Sequence, residues 1–246
     1  MSEHQKLNRR ILIIKNISRE GPGILKDLLT EQNISYTLAD LGSGEKIPPV
    51  GEFAAVVVFG GPDSANDRNA KMENELAKIR EIIKENIPYL GICLGLQTLV
   101  KAAGGSVVKS PVKETGFLDP DGHTFKVELT EEGKLDPLLD GINDSFEVFH
   151  LHGETVEFTK EMSLLARGKL CRNQIVKVGS NAYGIQGHIE LTREMLEVWS
   201  LKDPDLQEFD RNVLLADFAK IQKKYTSTGS QLFNNFLRIA GFKDPR

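Results

Sequence analysis

The sequence predicts an α/β protein with a doubly wound, flavodoxin-like, mostly parallel sheet, helices on both faces and an extra helical C-terminal segment. Two observations support this prediction. Short runs rich in β-branched residues at 11–14 and 54–59 are typical of strands buried on both faces of a parallel sheet. Segments with helical spacing of apolar residues at 23–32 and 70–85 alternate with those runs. Such alternation predicts βαβ units, whose ligands bind at the carboxyl ends of the strands.

The next elements continue the series and then change its character. A third strand is predicted at 89–90 and a helix at 96–101. After the glycine pair at 104–105 the pattern becomes short strands separated by turns. These predicted strands are 106–109, 124–129, 146–150, 163–166 and 174–178. The stretch 184–188 then leads the chain back towards a site.

Residues 192–240 have helical periodicity again, with predicted breaks at 202–204 and 227–229. No internal repeat or low-complexity linker divides the chain. We therefore expect a single domain over residues 1–246, in which 190–228 is an extended helical insertion before the C-terminal tail.

Composition and charge restrict the classes of partner and the cellular compartment that we expect. The chain has 246 residues and a formal net charge of −4, which gives no reason to expect nucleic acid or a membrane surface as a partner. Two cysteines, Cys93 and Cys171, fit a reducing compartment better than a disulfide framework. The first apolar run, 11–14, is too short for a signal peptide or a membrane span. We therefore expect a cytoplasmic protein.

The pentapeptide Gly91-Ile92-Cys93-Leu94-Gly95 lies at a predicted strand-to-helix corner. A glycine two residues on either side of a candidate nucleophile is the pattern of a nucleophile elbow. Side chains at the flanking positions would collide with the tight turn. The amino end of the following helix favours the thiolate form of Cys93. The alternative is a buried cysteine that acts as a small apolar residue.

A cysteine nucleophile needs a base and a group that orients this base. His188 and Glu190 are two residues apart, so that on extended backbone the carboxylate can accept the imidazole N–H. Cys93, His188 and Glu190 therefore form a candidate Cys-His-Glu triad. His150 and His152 also alternate, but nothing near them in the sequence completes a set of metal ligands, and we expect no metal.

The segment Gly60-Gly61-Pro62 directly follows the strand predicted at 54–59. Glycines at a strand end let backbone N–H groups approach a ligand closely. The N–H groups of Gly61 and Leu94 are therefore the predicted oxyanion hole.

Two alternatives remain for the same loop. One is an ordinary turn before a helix, with Asp63 or Ser64 as the helix cap. The other is a phosphate-binding loop of the ATP-pyrophosphatase type. Phe59 stands where such a loop begins with serine, and Pro62 lacks an N–H donor, so this alternative is the less favoured one.

Taken together, these motifs resemble those of class I (triad-type) glutamine amidotransferases, and in particular the glutaminase domain of GMP synthases. The resemblance covers most of the chain. Its motifs, in order, are Gly60-Gly61-Pro62, Gly91-Ile92-Cys93-Leu94-Gly95-Leu96-Gln97, His152-Gly153-Glu154, Gly184-x-Gln186-x-His188-x-Glu190 and the tail 234–241.

The resemblance implies a glutaminase that needs no cofactor. Cys93 would attack the side-chain amide of glutamine, His188 would protonate the departing ammonia, and Glu190 would orient His188. The oxyanion would be held by Gly61 and Leu94. Substrate contacts would come from Gly60, Gln97, His152 and Gly153. No synthetase domain and no second ATP-binding motif follow, so we expect a separate synthetase to accept the ammonia, with loss of the ammonia to solution as the alternative.

Two positions depart from the family pattern. Gly187 stands where the family usually has an aromatic residue, and Ile189 stands where it usually has proline. We expect a wider pocket, which keeps hydrolysis of other γ-glutamyl amides open. A non-catalytic, glutamine-binding regulatory protein is a further alternative.

The apolar residues of the extra helical segment are expected to pack on the core, with a lid or docking surface as the alternative. They are Trp199, Phe209, Leu214, Leu215 and Phe218. Cys171 is expected to be an inert thiol, although Lys169 and Arg172 beside it can lower the pKa of a thiol.

Overall fold

Within residues 9–242, which the computed structural model describes, the chain forms eleven β-strands and five α-helices. The strands are β1 Ile11–Lys15, β2 Tyr36–Asp40, β3 Ala55–Val58, β4 Tyr89–Ile92, β5 Ser106–Gly116, β6 Lys126–Leu129, β7 Ser145–Glu147, β8 His150–Glu157, β9 Met162–Gly168, β10 Asn173–Val178 and β11 Ala182–Ile185. The helices are α1 Gly23–Glu31, α2 Ala70–Lys84, α3 Leu94–Ala102, α4 Arg193–Lys202 and α5 Arg211–Ile239.

Nine strands form one sheet in the order β2-β1-β3-β4-β11-β10-β9-β6-β7. The first five strands of this order are parallel, and the remaining four extend the sheet in antiparallel fashion. Strand β11 returns beside β4, where Gly184 pairs with Gly91. The order of the parallel strands is that of a flavodoxin-like sheet. The predicted fold class is therefore confirmed.

Alternate residues of the central strands face two separate cores. Ile11 and Ile13 lie in one core, together with apolar residues of α1, α4 and α5. Leu12 and Ile14 lie in the other core, with apolar residues of α2 and α3. All four side chains are fully buried. Because successive strand residues point to opposite faces, this pattern places helices on both sides of the sheet.

Several strands differ from the prediction, and β11, which is buried throughout, was predicted only as a stretch at 184–188 that leads the chain back. Strand β2 was not predicted, because it lies at the sheet edge, is mostly half-buried or exposed, and lacks a β-branched run. The single strand predicted at 146–150 is divided between β7 and β8. Strand β8 leaves the main sheet and pairs with β5 in a second, two-stranded sheet.

The C-terminal helices pack on the core. Helix α4 ends at Lys202, as predicted, but α5 continues through 227–229, where a break was predicted. A Cβ at Gly229 would overlap the carbonyl oxygen of Ile189, so this glycine allows close approach of α5 to the neighbouring loop rather than ending the helix. Of the five apolar residues, Phe209 is 42% exposed and the other four, Trp199, Leu214, Leu215 and Phe218, are buried.

Among the helices of the described residues, none has the length and apolar character needed to cross a membrane.

Candidate active site

Cys93 lies at the sharp corner between β4 and α3. Its backbone has φ 52° and ψ −106°, a strained conformation for a residue with a side chain. A Cβ at Gly91 would overlap the carbonyl oxygen of Gly95, and a Cβ at Gly95 would overlap that of Val58. The corner therefore requires glycine at both positions. The N–H of Cys93 donates to the carbonyl oxygen of Ile185 at 2.8 Å, which fixes the corner to β11.

His188 and Glu190 follow β11 directly and are buried. Nδ1 of His188 lies 2.7 Å from Oε1 of Glu190, and because a carboxylate can only accept, this nitrogen carries the proton. The other carboxylate oxygen accepts from the backbone N–H of Ile189 at 2.9 Å. Burial alone lowers the pKa of His188, but Glu190 and Cys93 outweigh it and hold this pKa well above its ordinary value. The arrangement favours the charged, imidazolium form of His188.

The C-terminal helices support the loop that carries His188. The ring of Trp199, on α4, lies 5.2 Å from the imidazole, centroid to centroid, in an edge-on orientation. The hydroxyl of Tyr225, on α5, donates to the carbonyl oxygen of His188 at 2.8 Å and accepts from the N–H of Leu191 at 3.3 Å. Sequence reasoning missed Tyr225, because helical periodicity identifies a buried face but not a hydroxyl contact.

Cys93 and His188 line a cavity of about 720 Å³. Gly61 and Leu94, the two predicted oxyanion donors, line the same cavity. A Cβ at Gly61 would lie 2.6 Å from the Cβ of Asn16, so a side chain there would displace the loop. The structure thus brings the predicted nucleophile, base and oxyanion residues to one cavity.

Neither Asp63 nor Ser64 caps the helix that follows the Gly60-Gly61-Pro62 loop, so that alternative is wrong. Helix α2 is capped by Asn69, whose side chain accepts from the N–H of Met72. Asp63 instead pairs with Lys71 at 2.6 Å, and the Ser64 hydroxyl donates to Glu154 at 3.0 Å.

Three of the four predicted substrate-binding residues line the cavity: Gln97, His152 and Gly153. The side-chain amide of Gln97 donates to the carbonyl oxygen of Glu154 at 3.2 Å. Gly60 is absent from the described residues that line the cavity but lies beside Cys93 and His188. A Cβ at Gly60 would lie 3.2 Å from Cε1 of His188 and 3.5 Å from the Cβ of Cys93.

The predicted widening of the pocket at Gly187 and Ile189 is wrong. Among the described residues that line the cavity, neither is present. A Cβ at Gly187 would lie 3.1 Å from the Cβ of Val148 and 3.2 Å from Cε1 of His150. The space beside Gly187 is therefore occupied by these two side chains.

His150 and His152 do have a third neighbour, contrary to expectation. Oε2 of Glu114, on β5, lies 2.9 Å from Nε2 of His152 and 3.7 Å from Nε2 of His150, and all three side chains are buried. The sequence cannot show this, because it depends on the pairing of β5 with β8. Burial, and then His152, hold the pKa of His150 well below its ordinary value.

The ligand atoms of this cluster lie within 4.8 Å of one another, a spacing that a metal ion can also bridge. Nδ1 of His152 lies 3.0 Å from the carbonyl oxygen of Glu154, and Nε2 of the same ring lies 2.9 Å from Oε2 of Glu114, but neither of these last two atoms has an aligned hydrogen bond among the described residues. The environment of His150 argues against a metal. Nδ1 of His150 has no partner among the described residues, whereas metal-bound imidazoles usually donate their second N–H.

The second cysteine has the environment of an inert thiol. Cys171 is 2% exposed, and burial raises the pKa of its thiol to about 11. Its Sγ lies 3.1 Å from the hydroxyl oxygen of Thr155. Lys169 contacts Asp119 and Asp121, each at 2.9 Å. The alternative of a lowered pKa at Cys171 is wrong.

Among the charged residues of the cavity that were not found from the sequence are Arg19, Glu20 and Asp203. Arg19 pairs with Asp203 at 2.6 Å. These residues come from the segment after β1 and from the end of α4, and no local pattern signals that they meet.

The family model of class-I glutamine amidotransferases matches residues 26–197, more than half of the chain. The chain therefore belongs to this family. It is similar to a glutamine amidotransferase-like protein of Salmonella typhimurium, YfeJ, with 30% identity over 76% of this chain and 78% of that protein.

Two further similarities involve GMP synthases. A glutamine-hydrolysing GMP synthase subunit of Saccharolobus solfataricus is 30% identical over 65% of this chain and 81% of that protein. The match to GMP synthase of Thermosipho africanus, 31% identical, covers 76% of this chain but 32% of that enzyme.

Among solved structures, a glutamine amidotransferase of Thermotoga maritima is similar over 95% of this chain and 98% of that one. The TM-score is 0.82 and the sequence identity 28%. A glutamine amidotransferase of Methylobacillus flagellatus, 24% identical with the same TM-score, shows the likeness of the fold.

Proposed function

We propose that this protein is a cysteine-dependent glutaminase, which hydrolyses the side-chain amide of glutamine to glutamate and ammonia. Membership of the class-I glutamine amidotransferases supports glutamine amide hydrolysis in general. The observation that carries the proposal is the Glu190-bound His188 in one cavity with Cys93 at a strained helix start.

The first half-reaction follows from this geometry. The Cys93 thiolate attacks the amide carbon of glutamine, and the oxyanion that forms accepts hydrogen bonds from the N–H groups of Gly61 and Leu94. One such donor typically contributes roughly 10²–10³ to the turnover rate. The His188 imidazolium gives its Nε2 proton to the nitrogen, the C–N bond breaks, and ammonia leaves a γ-glutamyl thioester on Cys93.

In the second half-reaction water attacks the thioester. The now neutral His188 accepts a proton from this water, the C–S bond breaks, and glutamate leaves as Cys93 and His188 return to their starting charges. Glu190 holds the imidazole in the tautomer that both steps need and stabilises its charged form. Gln97, His152 and Gly153 are proposed to contact the amino-acid end of the substrate.

A separate synthetase is the proposed acceptor of the ammonia. The support is the similarity to the Saccharolobus solfataricus protein, whose name makes it one part of a GMP synthase.

The test is glutamate release from glutamine by wild type, Cys93→Ala and Cys171→Ala. Cys171 is the matched control, because it is the second cysteine of the chain, is buried, and is not among the described residues that line the cavity holding Cys93. We expect release by wild type and by Cys171→Ala, and none by Cys93→Ala. Equal release by Cys93→Ala would refute the proposal.

A further inference from the structure

Glu20 is a buried carboxyl group of the active-site cavity that the reaction described above does not use. The residue is 5% exposed and lines the cavity together with Cys93 and His188. Its Oε2 has no hydrogen-bond partner among the described residues. A buried polar atom without a partner is costly, and most such atoms in proteins are satisfied by protein, water or ligand. The position of Glu20 in the cavity suits a ligand.

The geometry places this oxygen beside the reaction centre. A single point, the Cβ position of Gly60, lies 3.1 Å from Oε2 of Glu20, 3.2 Å from Cε1 of His188 and 3.5 Å from the Cβ of Cys93. These three side chains therefore converge above Gly60. In the proposed reaction the amide nitrogen leaves towards the imidazole, because the imidazole protonates it. Because Oε2 of Glu20 shares the space over Gly60 with the imidazole, it is placed to meet the leaving nitrogen.

Burial and the charged groups around Glu20 together place the pKa of its carboxyl near neutral pH. Burial raises the pKa of its carboxyl to about 7, His188 opposes this rise, and Glu190 adds to it. Arg19 and Asp203 act in opposite directions, and they form an ion pair with each other at 2.6 Å. These groups come from the segment after β1, the loop after β11 and the end of α4.

We propose that Glu20 binds the nitrogen of the scissile amide, accepting a hydrogen bond from its N–H during attack and holding the ammonia as it departs. This assignment rests on the proposed glutaminase function. Glu20 forms and breaks no covalent bond, and the proton that reaches the nitrogen still comes from His188. The ionised carboxylate is the better acceptor, so turnover rises as Glu20 ionises.

The experiment compares Glu20→Gln and Glu20→Ala with wild type in two assays. The first is steady-state hydrolysis of glutamine over a range of pH. The second is labelling of Cys93 by a glutamine analogue in which the amide NH₂ is replaced by a chloromethyl group. This probe has no amide N–H, so it reports the nucleophile and the amino-acid subsite without the contact assigned to Glu20.

We expect Glu20→Ala to lower kcat roughly 10- to 100-fold, the range expected for a lost hydrogen bond at a charged group, with little change in KM. Glu20→Gln keeps an acceptor oxygen but does not titrate. The rise of kcat with pH near pH 7 should therefore disappear in this variant. Labelling of Cys93 should stay within a few-fold of wild type in both variants. Glu128→Gln, at an exposed carboxylate that pairs with Arg167 and is not among the described residues lining this cavity, is the matched control and should leave both assays unchanged.

Wild-type kcat and an unchanged pH profile in both Glu20 variants would overturn the assignment. So would labelling that falls as far as turnover, because Glu20 would then act on Cys93 or on the fold. A wild-type protein that neither hydrolyses glutamine nor reacts with the probe would instead refute the glutaminase function, and the assignment with it.

Discussion

Tyr225→Phe tests whether the C-terminal helix α5 holds the triad loop in place. The hydroxyl of Tyr225 donates to the carbonyl oxygen of His188 at 2.8 Å and accepts from the N–H of Leu191 at 3.3 Å. Tyr225 is 2% exposed, so water does not replace the lost hydroxyl without rearrangement. Phenylalanine would leave a buried carbonyl and a buried N–H without their partner.

Each buried polar group left unsatisfied costs about 1–3 kcal/mol, and the longer bond to Leu191 belongs at the low end of that range. We therefore expect the free energy of unfolding to fall by about 2–3 kcal/mol, which corresponds to a Tm lower by roughly 4–12 °C for a chain of this size. Turnover of glutamine should also fall, because the backbone carbonyl that positions His188 is released.

The assay is urea unfolding followed by the fluorescence of the single tryptophan, Trp199, with glutamate release measured in parallel. Tyr36→Phe is the matched control, since the Tyr36 hydroxyl makes no hydrogen bond within the described part of the chain and lies on the edge strand β2. A change below about 0.5 kcal/mol in Tyr225→Phe, equal to the control, would refute the role given to this hydroxyl.

Three further outcomes are expected. Glu190→Gln should lower kcat by roughly 10²–10⁴, because an amide in place of the carboxylate favours the wrong imidazole tautomer; near-wild-type turnover would contradict this. Gly95→Ala should destabilise the fold by about 1–3 kcal/mol in urea unfolding, since its Cβ would overlap a strand carbonyl, whereas Gly21→Ala, with no atom within 4 Å of its Cβ, should be neutral. Equal effects of the two alanines would count against the elbow packing. Glu75 is fully buried, and burial raises the pKa of its carboxyl from 4.5 to about 7. Because the unfolded chain loses this proton first, the contribution of Glu75 to stability falls between pH 4.5 and 7, by on the order of 3 kcal/mol. Glu75→Gln should remove this part of the pH dependence. An unchanged slope of the unfolding free energy against pH in this variant would exclude the contribution assigned to Glu75.

The fold class and the central site were predictable from local patterns. The elbow around Cys93 is encoded in five adjacent residues, because both glycines are required by contacts at the corner itself. His188 and Glu190 are two residues apart, so their pairing needs only an extended backbone. The parallel strands β1, β3 and β4 were recognised from their buried runs, whereas the edge strand β2 and the buried strand β11 were not predicted as strands.

The remaining contacts depend on long-range pairing, which a single sequence does not display. Glu114 meets His152 because β5 pairs with β8, and Tyr225 meets His188 because α5 packs on the loop after β11. Glu20 reaches the cavity from the segment after β1. In none of these cases does the local sequence around the residue carry a pattern that signals the contact. The single-domain organisation of the chain stays a prediction.

The most direct test of the central claim is to trap the covalent intermediate. Wild-type protein is mixed with glutamine, quenched in acid and mapped by peptide mass spectrometry. We expect one γ-glutamyl group, attached as an acid-stable thioester to Cys93, and an unmodified Cys171. Release of glutamate without any modification of Cys93, or with the group on Cys171, would contradict the account.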